Sequence, residues 1–392
     1  MNCAMRSSSN RPGQDRQRPC PPRQPRCGFN WRPGSFVGLF EKLRTAQFFN
    51  PGSSASLVRG RGGGQPPAGT GAAPRRDAAR LPGMSSSRLV TIDCDYLGPG
   101  FAAAYLRVEG DEAAFVETNT THAVPRLLAA LDREGIAREA VRWVIVTHVH
   151  LDHAGGASAL LAALPNATVL AHPRAARHLV DPSKLVKSAE AVYGAARFAE
   201  LYGTILPIDA ARVRSLEDRE SVLLGGATLS FVHTRGHANH HFIVLDPARE
   251  AVFTGDTFGL VYPHLQRGRR FAFPSTSPTD FDAEAAHASI EVVRTSGARR
   301  AALTHFGEIE DLDVVAAQLH RWIDLSASLV EAAVPLAPAE AEAMIRKALD
   351  KEMERAAEEV GLALDARDHE LLELDLALNA QGLAYVASKR RG

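Results

Sequence analysis

The sequence predicts an α/β fold: two β-sheets with helices packed outside them, continued by a helical C-terminal region. Three observations predict it. Short apolar segments of strand length recur between residues 89 and 304 and alternate with helical patterns. These segments fall into two β-then-α halves, the order that lets two sheets bury one face against each other beneath outer helices. Beyond Asp311 the strand signals stop, and long Ala-, Leu- and charge-rich stretches take over.

The elements follow in order. Residues 89–92, 102–108 and 113–117 are apolar strands, and Glu109-Gly110-Asp111 turns the last two into a hairpin. Residues 122–132 form an amphipathic helix with Val124, Leu127, Leu128 and Leu131 on one face. A short, almost wholly apolar strand follows at 141–146, then a loop, a helix at 156–164 and a strand at 167–171. That loop sits at a strand's C-terminal end, where open α/β sheets place their chemistry. A helix at 184–203 is placed to cover it. Strands at 227–233, 242–245 and 251–254 follow, with Asp246-Pro247-Ala248-Arg249 as the turn between the last two. A helix at 282–295 ends before Gly297, and a strand at 301–304 closes the second half. Residues 339–360 are helical, and 367–388 carry a stripe of Leu371, Leu372, Leu374, Leu376 and Leu378. The expected organisation is a low-complexity segment over 1–83, a catalytic domain over 84–310 and a helical region over 311–392. The last is a candidate surface for homodimerisation.

The 392 residues carry no net formal charge, but the charge is unevenly spread. Residues 1–83 hold fourteen Lys and Arg against Asp15, Glu41 and Asp77. The remainder holds 31 basic and 42 acidic residues, a formal charge of about −11. Such an acidic body disfavours a nucleic-acid partner, which needs clustered cations. Three readings stand open for 1–83: a disordered tail, an upstream start ahead of Met84, or an Arg- and Ser-rich targeting peptide. Four cysteines, Cys3, Cys20, Cys27 and Cys94, are too few for a disulfide framework in a chain this long, so a reducing, cytoplasmic setting is expected. No apolar run reaches membrane-spanning length, and no membrane partner is expected.

The chemistry concentrates in Thr147-His148-Val149-His150-Leu151-Asp152-His153-Ala154-Gly155-Gly156. Three imidazoles and a carboxylate fall within six residues, the ligand types suited to zinc and similar divalent ions. A buried cluster of imidazoles without a metal would be costly. Gly155 and Gly156 are expected to let the backbone turn tightly into the next helix. Three further candidates stand beyond apolar strands: His237, Asp256 and His305.

The series HxHxDH, then Gly-His, then Gly-Asp, then a final Thr-His resembles the metallo-β-lactamase superfamily over about residues 88–308. The resemblance implies an αββα sandwich. It implies that His148, His150 and His237 hold a first metal, that Asp152, His153 and His305 hold a second, and that Asp256 bridges them. Asp rather than Cys at the bridge looks like the hydroxyacylglutathione hydrolase (glyoxalase II) and lactonase branches, not the cysteine-liganded β-lactamases. The contexts GHANHH, DPSK and FPSTSP look like a branch labelled simply as metallo-hydrolase. Where the family usually has Asp-Thr-Gly, this chain has Glu117-Thr118-Asn119. Glu117 is a candidate acceptor behind a ligand imidazole.

The implied activity is hydrolysis of a small-molecule thioester or carboxylic ester, lactones included, by a hydroxide between two divalent ions. Zinc is the first expectation, with iron or manganese suited by the same ligands. Asp152 is expected to orient the nucleophile as well as ligate. His241, with His240 beside it, and Tyr262 are candidates to donate to substrate. Lys184 is a candidate for attracting an anion, and Phe271 and Phe273 for lining a pocket or lid. The alternative readings are a mononuclear iron persulfide dioxygenase and a non-catalytic metal-binding regulator.

Overall fold

A computed structural model of the chain describes residues 87–276 and 280–391. The low-complexity segment and its three readings lie outside the described residues, as does the end of the FPSTSP motif.

Two six-stranded sheets form the centre. The first runs in chain order: β1 (Ser87–Asp93), β2 (Ala103–Glu109), β3 (Glu112–Val116), β4 (Val141–Ile145), β5 (Thr168–Ala171) and β6 (Val213–Ser215). The second runs β7 (Ser221–Leu224), β8 (Ala227–Thr234), β9 (His241–Asp246), β10 (Ala251–Gly255), β11 (Arg300–Leu303) and β12 (Gly307–Ile309). Each opens as an antiparallel meander. Parallel pairing begins only where a helix intervenes, at β3–β4 and at β10–β11. A parallel pair needs such a crossover, so the helical pattern between strands dictates the topology.

The two sheets pack face to face, and the two-residue period of each strand sorts its side chains. Ala103 and Tyr105 of β2, Ala114 and Val116 of β3 and Ile145 of β4 meet Leu229, Phe231, Phe242, Val244 and Phe253 of the second sheet. The alternate residues, Leu106, Val108, Phe115 and Val144, face outward. They are covered by α1 (Val124–Glu134), α2 (Leu151–Ala154), α3 (Ala157–Ala162) and α4 (Pro173–Val180). Burial on both faces explains why these strands read as continuous apolar runs. Phe231, Phe242 and Phe253 are almost wholly buried, each contributing roughly 1.5–3 kcal/mol.

Arg107 also lies between the sheets, fully buried. Its Nε donates to Asp246 Oδ2 at 2.5 Å, and its Nη2 to Glu109 Oε2 at 2.6 Å. A charged side chain survives there only because its donors are matched.

The helix expected over 184–203 is two helices, α5 (Ser183–Tyr193) and α6 (Ala195–Tyr202). Gly194 breaks them at φ +79°, a backbone conformation outside any helix. The outer face of the second sheet is covered by α7 (Ala283–Arg294), α8 (Leu312–Ala333), α9 (Pro338–Glu359) and α10 (Ala366–Arg391). One core runs without interruption from Ile243, Val252 and Leu303 through Leu319 and Ile345 to Leu383, across the boundary expected at 310. Leu372 and Leu376 are buried in it, and Leu371 and Leu374 pack against it. Much of the leucine stripe is therefore covered by the chain itself. None of the described helices is long and apolar enough to cross a membrane.

Candidate metal centre

The candidate ligands converge at one edge of the sandwich. β4 ends at Ile145, and the next residues run along the gap between the sheets, where the Phe242 N–H donates to the Thr147 carbonyl at 3.0 Å. His150 has extended backbone, and α2 starts immediately after it, so the chain changes direction inside the motif. His148 and His150 thereby point to one cluster while Asp152 and His153 point to another. The two glycines after α2 serve space rather than turning. Both have ordinary helical φ, −62° at Gly155 and −83° at Gly156. A Cβ on Gly155 would lie 2.4 Å from the Leu151 carbonyl oxygen, and one on Gly156 2.7 Å from that of Thr118. The expectation of a tight glycine turn is thus replaced by a close backbone approach to residues 118–120.

Three groups of side chains place their donor atoms within 4.8 Å of one another: His148, His150 and His237; His148, His153 and Asp256; Asp152, His153 and His305. In the first, His150 Nδ1 lies 2.9 Å from His148 Nε2 and 3.1 Å from His237 Nε2. In the third, Asp152 Oδ2 is 3.7 Å from His153 Nε2 and 3.5 Å from His305 Nε2. Asp256 stands between them. Its Oδ2 is 3.4 Å from His237 Nε2, while its Oδ1 is 3.1 Å from His153 Nε2 and 3.6 Å from His305 Nε2. All seven sequence candidates are therefore in one place.

The donor set fits divalent ions. His153 Nε2 and Asp256 Oδ1 are both buried with no hydrogen-bond partner among the described residues. Buried polar atoms are normally satisfied, so orphans facing one another point to an ion that ligates both. Burial, with the neighbouring imidazoles His153 and His150, keeps His148 far below its ordinary pKa. Burial and His237 hold His150 down to about 3. Both are neutral, as ligands must be. Burial also opposes charge on His153, yet Asp256, Asp152 and Glu117 outweigh it and raise the imidazole well above its ordinary value. Burial works to raise Asp152, but His153 and His305 hold it down to about 2.

The far nitrogens of four imidazoles are held from behind. Glu117 Oε1 accepts from His153 Nδ1 at 3.2 Å. The Phe101 carbonyl accepts from His305 Nδ1 at 2.8 Å, and the Ser275 carbonyl from His237 Nδ1 at 3.1 Å. Thr147 Oγ1 lies 3.1 Å from His148 Nδ1. Such contacts fix tautomer and ring orientation. Of these, Glu117 was readable in the sequence. The backbone carbonyls were not, because no side-chain type marks them.

His241 needs correction as a substrate donor. It is fully buried, and both ring nitrogens are engaged. Nδ1 lies 2.7 Å from Thr234 Oγ1, and Nε2 accepts the Asp256 backbone N–H at 3.3 Å. It braces the backbone of Asp256. His240 also stands beside the ligands, with its ring 5.4 Å from that of His150. Lys184 is exposed at the start of α5. Phe271 and Phe273 are buried in the core of the second sheet instead of forming a lid. Tyr262 lies beside the centre, stacked on Phe101 at 4.8 Å and edge-on to His305 at 6.5 Å.

Three tyrosines missed in the sequence stand near Asp152. Tyr96 precedes β2, and Tyr193 and Tyr202 come from α5 and α6. Burial raises all three hydroxyls, and Asp152 adds to each. With Phe198 and Leu151 they form a small apolar cluster above Asp152. A second acidic group, His264 with Asp365 and Asp368, has donor atoms equally close. Asp368 there is already held by Arg267, Nη1 to Oδ1 at 2.9 Å and Nη2 to Oδ2 at 2.5 Å, which marks an ion pair.

Comparison with known proteins agrees with this arrangement. Residues 97–305 match the family model described as the metallo-beta-lactamase superfamily. A curated relative, the metallo-beta-lactamase fold-containing protein ST1585 of Sulfurisphaera tokodaii, is 33% identical over 124 residues. That stretch is 31% of this chain and 46% of the relative, so the match spans about half the relative's length. Among solved structures, the archaeal metallo-beta-lactamase superfamily protein ST1585 from Sulfolobus tokodaii gives a TM-score of 0.54 at 20% identity, covering 75% of this chain and 97% of that one. The metallo-beta-lactamase family protein TTHA1429 from Thermus thermophilus gives 0.52 at 19%, covering 78% and 94%. Both speak for the fold.

Proposed function

The chain belongs to the metallo-beta-lactamase superfamily, and from that premise we propose that it is a two-metal hydrolase of a small thioester or carboxylic ester, lactones included. The observation that carries this reading is Asp256, whose two oxygens face different ligand clusters. In this reading His148, His150 and His237 hold one ion, Asp152, His153 and His305 the other, and Asp256 both. An aspartate at the shared position supports the glyoxalase II and lactonase side of the family. Zinc, iron and manganese all suit these donors. The four cysteines, with Cys94 free, support a reducing, cytoplasmic setting.

What a bound pair of divalent ions supplies is a water acidified toward neutrality and a pull on the carbonyl oxygen. The protein's own part is orientation. Asp152 is the more open of the two central carboxylates, its side chain 28% exposed against 6% for Asp256. It is therefore the one that can accept a hydrogen bond from the attacking water. Asp256 is held by His241, and His153 by Glu117, so neither needs to rearrange during reaction. Tyr96, Tyr193 and Tyr202 pack with Leu151, next to Asp152, and give that side of the site an apolar wall.

The test combines metal analysis with a panel of thioesters, lactones, β-lactams and phosphodiesters. About two ions per chain and turnover of thioesters or lactones are expected, with turnover lost in His150→Ala and Asp256→Ala while the circular-dichroism spectrum is kept. Retained turnover in both variants refutes the two-metal reading. One iron per chain with sulfur-dependent oxygen uptake supports a persulfide dioxygenase instead, and bound metal with no turnover supports a regulator.

A further inference from the structure

The C-terminal helix reaches the metal centre. Within the apolar face of α10, between Leu372, Leu376 and Leu383, stand two polar residues one turn apart, Asp375 and Asn379. Asn379 is fully used. Its Nδ2 donates to the Pro274 carbonyl at 2.9 Å, and its Oδ1 accepts the Thr276 N–H at 2.7 Å. Asp375 is not. Its Oδ2 is closed off from solvent and has no hydrogen-bond partner, and the same holds for the Tyr262 hydroxyl. The two groups face one another within hydrogen-bonding reach, and each shifts the other's ionisation, but the contact falls short of a well-formed hydrogen bond. Both lie toward the ligands: Tyr262 is edge-on to His305, and Asp375 feels the charges of His305, Asp256 and Asp152.

Two buried polar groups side by side without well-formed hydrogen bonds are a standing cost to stability. Such a cost at a site is the usual mark of groups kept ready for a ligand. We infer that Tyr262 and Asp375 form a substrate subsite that takes a hydrogen-bond donor, a hydroxyl or an ammonium group, carried on the acyl part of the substrate. The donor gives its proton to Asp375 Oδ2. Tyr262 gives its own to the oxygen of a hydroxyl ligand; beside an ammonium ligand its hydroxyl oxygen accepts instead. Burial raises the Asp375 carboxyl to about 7, against the opposing pull of His305 and of the Tyr262 hydroxyl beside it. An acyl group without a donor leaves both protein atoms unsatisfied and is discriminated against for that reason. The subsite thus makes the C-terminal helices part of substrate recognition. This inference rests on the ester or thioester reading above.

The experiment uses three thioesters of N-acetylcysteamine that differ at one position of the acyl group: lactoyl, alanyl and propionyl. The metal-loaded full chain should prefer lactoyl or alanyl over propionyl by about tenfold or more in kcat/KM, and whichever wins identifies the donor. Asp375→Leu and Tyr262→Phe should each bring that ratio close to one. No preference in the wild type, or a ratio unchanged in both variants, overturns the subsite. A second readout needs no turnover. Removing an unsatisfied carboxyl should raise Tm in Asp375→Leu, and lactate or alanine should raise the Tm of the wild type more than propionate does. A lower Tm in Asp375→Leu, with no difference among the three acids, shows a structural carboxyl and overturns the inference. Failure of all three thioesters with a positive stability result refutes the hydrolase reading and leaves the subsite standing.

Discussion

Glu117 stands behind His153, its Oε1 3.2 Å from the imidazole Nδ1. The carboxylate also accepts from the hydroxyl of Thr147 and, at 3.3 Å, from that of Thr304, so it ties β3, the ligand loop and the end of β11 together. Its backbone is left-handed, with φ +67°, an unusual setting for a residue other than glycine and one that functional sites retain. Glu117→Leu is expected to weaken metal binding about 10–100-fold, and Glu117→Gln less, because an amide oxygen still accepts from Nδ1. Chelator competition checks this. Equal affinity in Glu117→Leu and wild type would remove Glu117 from the support of the site.

Asn379 is expected to act on His237 from a distance. Its amide grips the backbone on both sides of Ser275, whose carbonyl orients the His237 ring. Asn379→Ala should leave the Pro274 carbonyl and the Thr276 N–H buried without partners. It should cost about 1–3 kcal/mol of stability and weaken metal binding selectively at the proposed site that includes His237. Metal titration followed by calorimetry should show one weakened site and one near wild type. Two equally weakened sites would point to general loss of structure.

The unequal legibility of the site has a physical cause. The seven candidate ligands could be picked out because each is a metal-ligating side-chain type standing beyond an apolar strand. Their supports, Glu117 apart, could not. His305 leans on a carbonyl 204 positions away, His237 on one 38 away, and carbonyls carry no residue identity. The strands β6, β7 and β12 are three or four residues long, too short for a period to register. His241 misled because adjacent histidines look alike in sequence. His241 is fully buried with its ring held by Thr234 and the Asp256 backbone, and His240, one residue earlier, lies beside His150. Asp375 and Asn379 interrupt the leucine stripe of α10, a pattern that sequence alone equally allows for a polar seam.

Arg107 offers a test of how the sheets are joined. Asp246 is fully buried and belongs to the second sheet, whereas Arg107 belongs to the first. Arg107→Met should cost about 3–5 kcal/mol, since it strands a carboxylate in the interior. Adding Asp246→Leu should recover much of that loss. Urea unfolding of the two variants gives the comparison, and equal stability of single and double variants would show that the pair is not coupled.

Cys94 provides a pH test remote from the ligands. It lies at the end of β1, buried, with its Sγ 3.8 Å from the Ile92 carbonyl. Burial, reinforced by Asp93, pushes the thiol up to about 12 from an ordinary 9.0. The unfolded chain therefore loses this proton first as pH rises. Between pH 9.0 and about 12 the folded state binds more protons than the unfolded one, so stability falls with pH in that window and is unaffected below it. The slope from this group approaches about 1.4 kcal/mol per pH unit. Cys94→Ala removes the slope. Its stability relative to wild type should be constant up to pH 8 and improve steadily from pH 9 to 11 in urea titrations. A difference that stays flat across that range would mean the thiol ionises equally well in the folded protein.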